Sequence, residues 1–396
     1  MEKRILFLAG RLPYPLDDGW KIRTFNLIKG LSRHGYVIDL LTFIKAEKEK
    51  NFSINLKDYC NIYCIVRDKE YAITDLIKGA CTNTPLPVLN YRISNMHKKI
   101  SELTAKNKYD LIQVEDIVMC QYLPKGINTL KVLDMHNIES ELMRRYAKEE
   151  KNIFKKIYAL LTARKLEAYE KFVKKEFDQI LVCSEDDRNI LSRRGGFGKI
   201  EMIPNGVDCS YYDIKNEEAT SNNIVFVGSM DYHANITGIK YFLKKIFPAV
   251  IKRHEDIKLY IVGKNPSKDI LRFANKNIIV TGAVEDVRPY LSSAKVVIVP
   301  LIVGGGTRLK ILEAMAMGKA IVSTSVGSEG ISVKDGHTII IADTVNQFAQ
   351  GISLLLKNYA LRTQIGNNAK EFIRLNYDWK TITTRLHDLY VNMCMP

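Results

Sequence analysis

Residues 296–318, VVIVPLIVGGGTRLKILEAMAMG, decide the reading of this chain. They read as a buried strand over 296–300, a loop closing on three glycines, and a helix opening at Thr307. Glycines at 304–306 permit positive φ and let a ligand come close to the backbone. With Thr307 as its cap, such a helix offers the unpaired N–H groups of its first turn and the positive end of its dipole. Together these favour a phosphate. Arg308 and Lys310 put two cations in that turn, where they oppose the dipole unless an anion compensates them. Glu313 follows on the second turn and can accept hydrogen bonds from sugar hydroxyls. The alternative is an ordinary strand–loop–helix with Arg308 and Lys310 facing solvent.

Strand-like runs alternate with amphipathic helices on both sides of this segment, the mark of parallel sheets built from βαβ units. The first set of strands is expected at 4–10, 36–42, 61–66, 110–115, 131–136, 179–184 and 199–205. The second is expected at 224–228, 257–263, 278–282, 296–300, 320–324 and 338–342. A helix over 19–34 is capped by Asp18 and stopped by Gly35. The polar stretch at 205–223 marks the domain boundary, and from 345 onward the pattern is helical only, with a break at Asp378-Trp379. The fold class is α/β, with two facing Rossmann-like doubly wound domains and a terminal helix that crosses back to the first. In that architecture ligands gather outside the carboxyl ends of the strands.

A chain of 396 residues exceeds one typical core, and 46% hydrophobic residues suffice for two. No run reaches the roughly 18 apolar residues of a membrane span, and the N-terminus turns polar too early for a signal peptide. The seven cysteines lack CxxC pairs, which fits cytosolic thiols and argues against structural zinc. A net charge of +15 attracts polyanions: nucleic acid, anionic lipid or phosphorylated substrates.

The pairing of IPNGVD at 203–208 with RLKILEAMAMG at 308–318 resembles the GT-B glycosyltransferases, most closely their retaining family 4 (group 1). VGSMDYHAN at 227–235, YIVG at 260–263 and VTGAVEDV at 280–287 fall in the family's order. The resemblance spans nearly the whole chain. It implies an acceptor-side domain at 1–198, a nucleotide-sugar-binding domain at 199–378, and a terminal helix at 379–396 that packs back on the first domain. It further implies that Val284 offers backbone groups to a base, that Glu313 holds the ribose, and that the amides of 306–309, including those of Gly306, Thr307 and Leu309, meet a diphosphate. For Glu313 the rival is a surface carboxylate paired with Lys310 or Lys319.

Two positions depart from the family pattern. A glutamate eight residues before Glu313 is replaced by Gly305, which leaves that glycine on the donor side of the site. A basic pair that grips the diphosphate is replaced by Ser229 and Asn235, so Arg308 and Lys310 are expected to supply the charge, and Ser229 and Asn235 become sugar or acceptor contacts. In the first domain, Gly19 beside Asp18 lies where the family brings a backbone N–H to a phosphate; a plain helix start is the alternative. His136 is expected to contact the donor sugar, with a structural histidine beside Asp134 as rival. Glu115 is expected to touch acceptor or sugar, with a hinge salt bridge as rival.

The expected function is transfer of a sugar from a nucleotide-sugar to a saccharide or lipid-linked acceptor, in surface polysaccharide or glycolipid assembly. The expected catalytic set is His136, Arg308 and Lys310. No Asp-x-Asp motif is present, so neither metal nor other cofactor is expected, and retention follows from the resemblance alone. The stretch 141–177 holds 11 Lys/Arg against 6 Asp/Glu along an amphipathic pattern. It suits an anionic membrane surface, and the rival places its apolar side inside the first domain. A cytoplasmic protein, peripheral on the inner membrane face, is the expected setting. The other readings are a GT-B sugar-nucleotide epimerase or hydrolase, or a non-catalytic basic protein binding membrane or nucleic acid. No nucleic-acid motif supports the last, and the absence of G-x-G-x-x-G after the first strand disfavours an NAD enzyme.

Overall fold

The computed structural model describes residues 3–67, 82–195, 198–214, 222–304 and 306–394. The expectations for Gly305 and Cys81, and most of the polar stretch after 214, lie outside them.

Seven strands form the first sheet: β1 (Arg4–Ala9), β2 (Val37–Ile44), β3 (Asn61–Val66), β4 (Leu111–Glu115), β5 (Leu130–Met135), β6 (Gln179–Val182) and β7 (Lys199–Met202). Their order is β3-β2-β1-β4-β5-β6-β7, every pairing parallel. Ile5, Leu6, Phe7 and Leu8 are all fully buried. A strand apolar on both faces needs helices on both sides, which is why the run lacks alternation. The order reverses at β1, which pairs with β2 on one side and β4 on the other. The switch point brings Gly10 and Glu115 to one edge of the sheet.

The second sheet holds β8 (Asn223–Val227), β9 (Lys258–Val262), β10 (Ile278–Gly282), β11 (Val296–Val299), β12 (Ile321–Ser323) and β13 (Ile340–Ile341). Its order is β10-β9-β8-β11-β12-β13, again parallel, with the reversal at β8. The two α/β sheets stand where the alternating pattern predicts them.

Five helices matter below: α1 (Gly19–Arg33), α2 (Glu139–Glu149), α3 (Ile153–Val173), α4 (Leu309–Ala316) and α5 (Trp379–Met393). The chain divides into one unit of Met1–Pro204 with Thr383–Pro396 and another of Asn205–Ile382. Since β7 pairs with β6, the first unit runs past the boundary expected after residue 198. Helix α5 starts in the second unit and ends in the first. There the fully buried Tyr390 donates its hydroxyl to Gln113 of β4, and the His387 ring lies 3.2 Å from the Tyr36 hydroxyl.

Candidate active site

In the second unit, the loop after β11 turns through Gly304 (φ 126°) and Gly306 (φ 77°), conformations that side chains resist. Arg308 then takes an extended conformation (φ −88°, ψ 90°) and stands at the cap of α4, with no side chain closing the first turn. Helix α4 therefore opens at Leu309, two residues later than expected, and Thr307 is not its cap. The uncapped turn leaves its N–H groups without intrahelical partners. The Thr307 hydroxyl is buried and unpartnered among the described residues, a condition folded proteins seldom leave uncompensated.

Arg308 is 6% exposed, so it does not face solvent as the alternative reading required. Lys310 is half-buried and points its ammonium at Asn235 Oδ1, 2.6 Å away, above the Phe226 ring at 4.5 Å. Burial, and then the neighbouring Arg308 charge, push that ammonium down to about 7 against the pull of Glu313. A Cβ on Gly228 would lie 2.5 Å from Lys310 Nζ, so the glycine after β8 makes room for it. Asn235 thus carries the cation that its own side chain lacks, and its Nδ2 donates to the Ser229 carbonyl at 2.7 Å. The Ser229 hydroxyl is turned to Asp231 Oδ2 at 3.0 Å.

Glu313 accepts from the Tyr212 hydroxyl, which lies in the turn Cys209–Tyr212. Burial pushes its carboxyl up, while Tyr212 and Lys310 pull it back. Lys319, the rival partner, is spent on the carbonyls of Ser292 (2.6 Å) and Ala294 (3.3 Å). Val284 sits in the loop after β10, partly buried against the core.

In the first unit, His136 follows β5 and its Nε2 lies 2.8 Å from Glu115 Oε2 at the end of β4. Its ring stacks on Trp20 of α1, centroids 5.3 Å apart at 25°. Glu115 is fully buried and also accepts from Thr24 (3.1 Å) and Gln113 (2.5 Å). The partner of His136 is therefore Glu115, not Asp134. Asp134 belongs to Arg23: both are fully buried and joined by Nε–Oδ2 (2.8 Å) and Nη2–Oδ1 (2.9 Å) bonds. Burial alone would push the Arg23 guanidinium down, and the Asp134 carboxylate outweighs it and holds the group above its ordinary value. Gly19 opens α1, exposed, with Asp18 capping through Lys21 N at 3.0 Å.

Glu139 and Trp20 join this cluster without having been singled out by sequence, beside Asp116 just past the end of β4. Asp116 has φ 85°, a costly conformation for a non-glycine residue. Burial drives its carboxyl up, and burial with Asp116 and Glu170 nearby takes Glu139 up to about 8. Its place one residue past a strand end was the available signal for Asp116; Trp20 offered none.

Glu115, Asp134 and His136 bring ligand-type atoms within 4.8 Å of one another. The set does not fit a divalent cation, because both Asp134 oxygens are already held by a fixed guanidinium.

Residues 18–211 match the family described as Glycosyltransferase Family 4, and residues 221–358 match Glycosyl transferases group 1. A Klebsiella pneumoniae protein described as an uncharacterised 44.6 kDa protein in the cps region is 29% identical over 393 residues, covering 96% of this chain and 97% of that one. Among solved structures, TarM superposes with a TM-score of 0.71 at 14% identity, over 98% of this chain and 99% of its own. Anabaena Alr3699/HepE, solved in complex with UDP, gives 0.68 at 14%, over 99% and 100%. These likenesses show the GT-B fold.

Proposed function

The chain belongs to the group 1 glycosyltransferases of family 4, and from that premise we propose that it moves a sugar from a nucleotide-sugar donor to a saccharide or lipid-linked saccharide acceptor. Transfer proceeds with retention and without a metal, in assembly of cell-surface polysaccharide or glycolipid. The cps-region relative supports that setting. One observation carries the donor assignment: a lysine ammonium held on Asn235 beside an uncapped helix start and an orphaned Thr307 hydroxyl. Each of these three groups lacks what a diphosphate supplies.

The amides of 306–309 take the diphosphate oxygens, and Lys310 and Arg308 meet the charge that grows on the leaving group. Glu313, oriented by Tyr212, receives the ribose hydroxyls, and backbone groups at Val284 meet the base. Glu115 holds one imidazole nitrogen of His136 and so leaves the other for a sugar hydroxyl, with Trp20 fixing the ring plane. Gly19 offers its N–H to a phosphate oxygen. Leaving-group charge is met by protein cations, so turnover persists in chelator.

Screening UDP-, GDP-, ADP- and TDP-sugars by calorimetry tests this reading. A bound diphosphate raises the Lys310 pKa from about 7, so binding takes up a proton above that pH. The diesterified diphosphate of a nucleotide-sugar keeps a constant charge there. Affinity is expected to be full below pH 7 and to fall by up to about tenfold per unit above it, until the pKa of the complex is reached. If no donor binds, or affinity stays flat between about pH 6 and 9, the lysine does not face the diphosphate.

A further inference from the structure

Helix α3 has two apolar faces. The inner face, through Ala159, Ala163, Leu166 and Val173 at helical spacing, is buried in the first unit. The outer face exposes Ile153 (58%), Phe154 (80%), Ile157 (47%) and Leu161 (52%), again at i, i+3 and i+4 spacing. These are the residues that the packed-helix reading of 141–177 would have placed inside. A surface helix of a soluble domain keeps one apolar stripe, so a second, contiguous stripe marks a surface that something covers.

The charges around it say what. Helix α3 carries Lys155, Lys156, Arg164, Lys165 and Lys171 against two carboxylates. Glu170 is 1% exposed and paired with Arg194 at 2.9 Å, while Glu167 is paired with Lys171 at 2.9 Å and with Arg144. The outer face is thus apolar over its first turns and cationic beside them. A second copy packed there about a twofold axis would set lysines against lysines. Nucleic acid would satisfy the lysines and leave Phe154 and Leu161 in water. An anionic bilayer satisfies both, with apolar side chains below the headgroups and ammonium groups among the phosphates. No helix among the described residues is long and apolar enough to cross a membrane, so the contact is peripheral.

We infer that α3 docks the first unit on an anionic lipid surface through Ile153, Phe154, Ile157 and Leu161, with Lys156 and Arg164, which flank that stripe at helical spacing, at the lipid phosphates. The inference stands apart from the donor assignment, since no residue of α3 touches the groups given to the diphosphate or sugar.

Flotation of the full chain with vesicles tests it. At low salt the protein is expected to float with phosphatidylcholine vesicles that contain phosphatidylglycerol. Binding to pure phosphatidylcholine should be at least about tenfold weaker, and salt should reduce the difference. Combining Phe154→Ser, Ile157→Ser and Leu161→Ser should weaken binding by about tenfold or more without moving the thermal midpoint, because all three are exposed. Combining Lys156→Glu and Arg164→Glu should remove most of the preference for phosphatidylglycerol. Nucleotide-sugar affinity should be the same in both variants. The inference is overturned if the parent fails to float at low salt, or if both variants float like it. It is equally overturned if lipid-free self-association, abolished by the serine variant, accounts for the face.

Discussion

Lys310→Met will slow turnover by roughly a hundred- to a thousandfold, about 2.7–4 kcal/mol of barrier, and leave the protein folded. Methionine keeps the apolar stem over Phe226 and removes only the ammonium that Asn235 positions. That charge is most useful when the leaving diphosphate is most negative, so its loss falls on the transition state more than on the bound donor. The effect on stability has the opposite sign. Below pH 7 both folded and unfolded chains carry the charged lysine, and folding bears the full cost of burying it. From about 7 to the ordinary 10.5 the unfolded chain binds the extra proton, so that cost fades as pH rises. The variant escapes it and should melt at the same temperature or higher at neutral pH. Steady-state kinetics beside thermal unfolding read both effects. Near-normal turnover would remove Lys310 from the chemistry.

Arg23→Met should do the reverse. It leaves the Asp134 carboxylate fully buried and without its guanidinium partner, and the Pro204 carbonyl without the guanidinium 3.0 Å away. Breaking such a pair from one side costs about 3–5 kcal/mol, whereas replacing both partners by apolar residues is often neutral. Arg23→Met alone is therefore expected to unfold the first unit early in denaturant, and addition of Asp134→Leu to restore most of the loss. Equal stabilities for the single and double variants would show that the pair is not coupled.

The contrast explains what could be read in advance. Strands such as β1 and β11 are unbroken apolar runs because both of their faces are covered, and that pattern is written locally. Asp18 at the head of α1 and Gly35 past its end are local signals as well. The start of α4 was misplaced because the chain before it is steered by Gly304 and Gly306, which leave Arg308, not the better capping residue Thr307, at the boundary. The strand pattern placed β7 in the first set, where it pairs with β6, whereas the domain line drawn from the resemblance fell just before it. Partnerships were harder still. Lys310 meets Asn235 across 75 positions, and Arg23 meets Asp134 across 111. Both pairs exist only once the sheets are assembled, as does the choice of Glu115 over Asp134 by His136. Residues named by type and strand end were reachable from sequence; the partners that set their charge were not.

On the proposed reading, the start of α4 holds a diphosphate. A crystal structure of the protein with the nucleotide-sugar that calorimetry selects tests it most directly. Diphosphate oxygens are expected within hydrogen-bond distance of the backbone N–H groups of 306–309 and of Lys310 Nζ, with the Thr307 hydroxyl engaged. A diphosphate bound elsewhere, with Lys310 still turned only to Asn235, would contradict it.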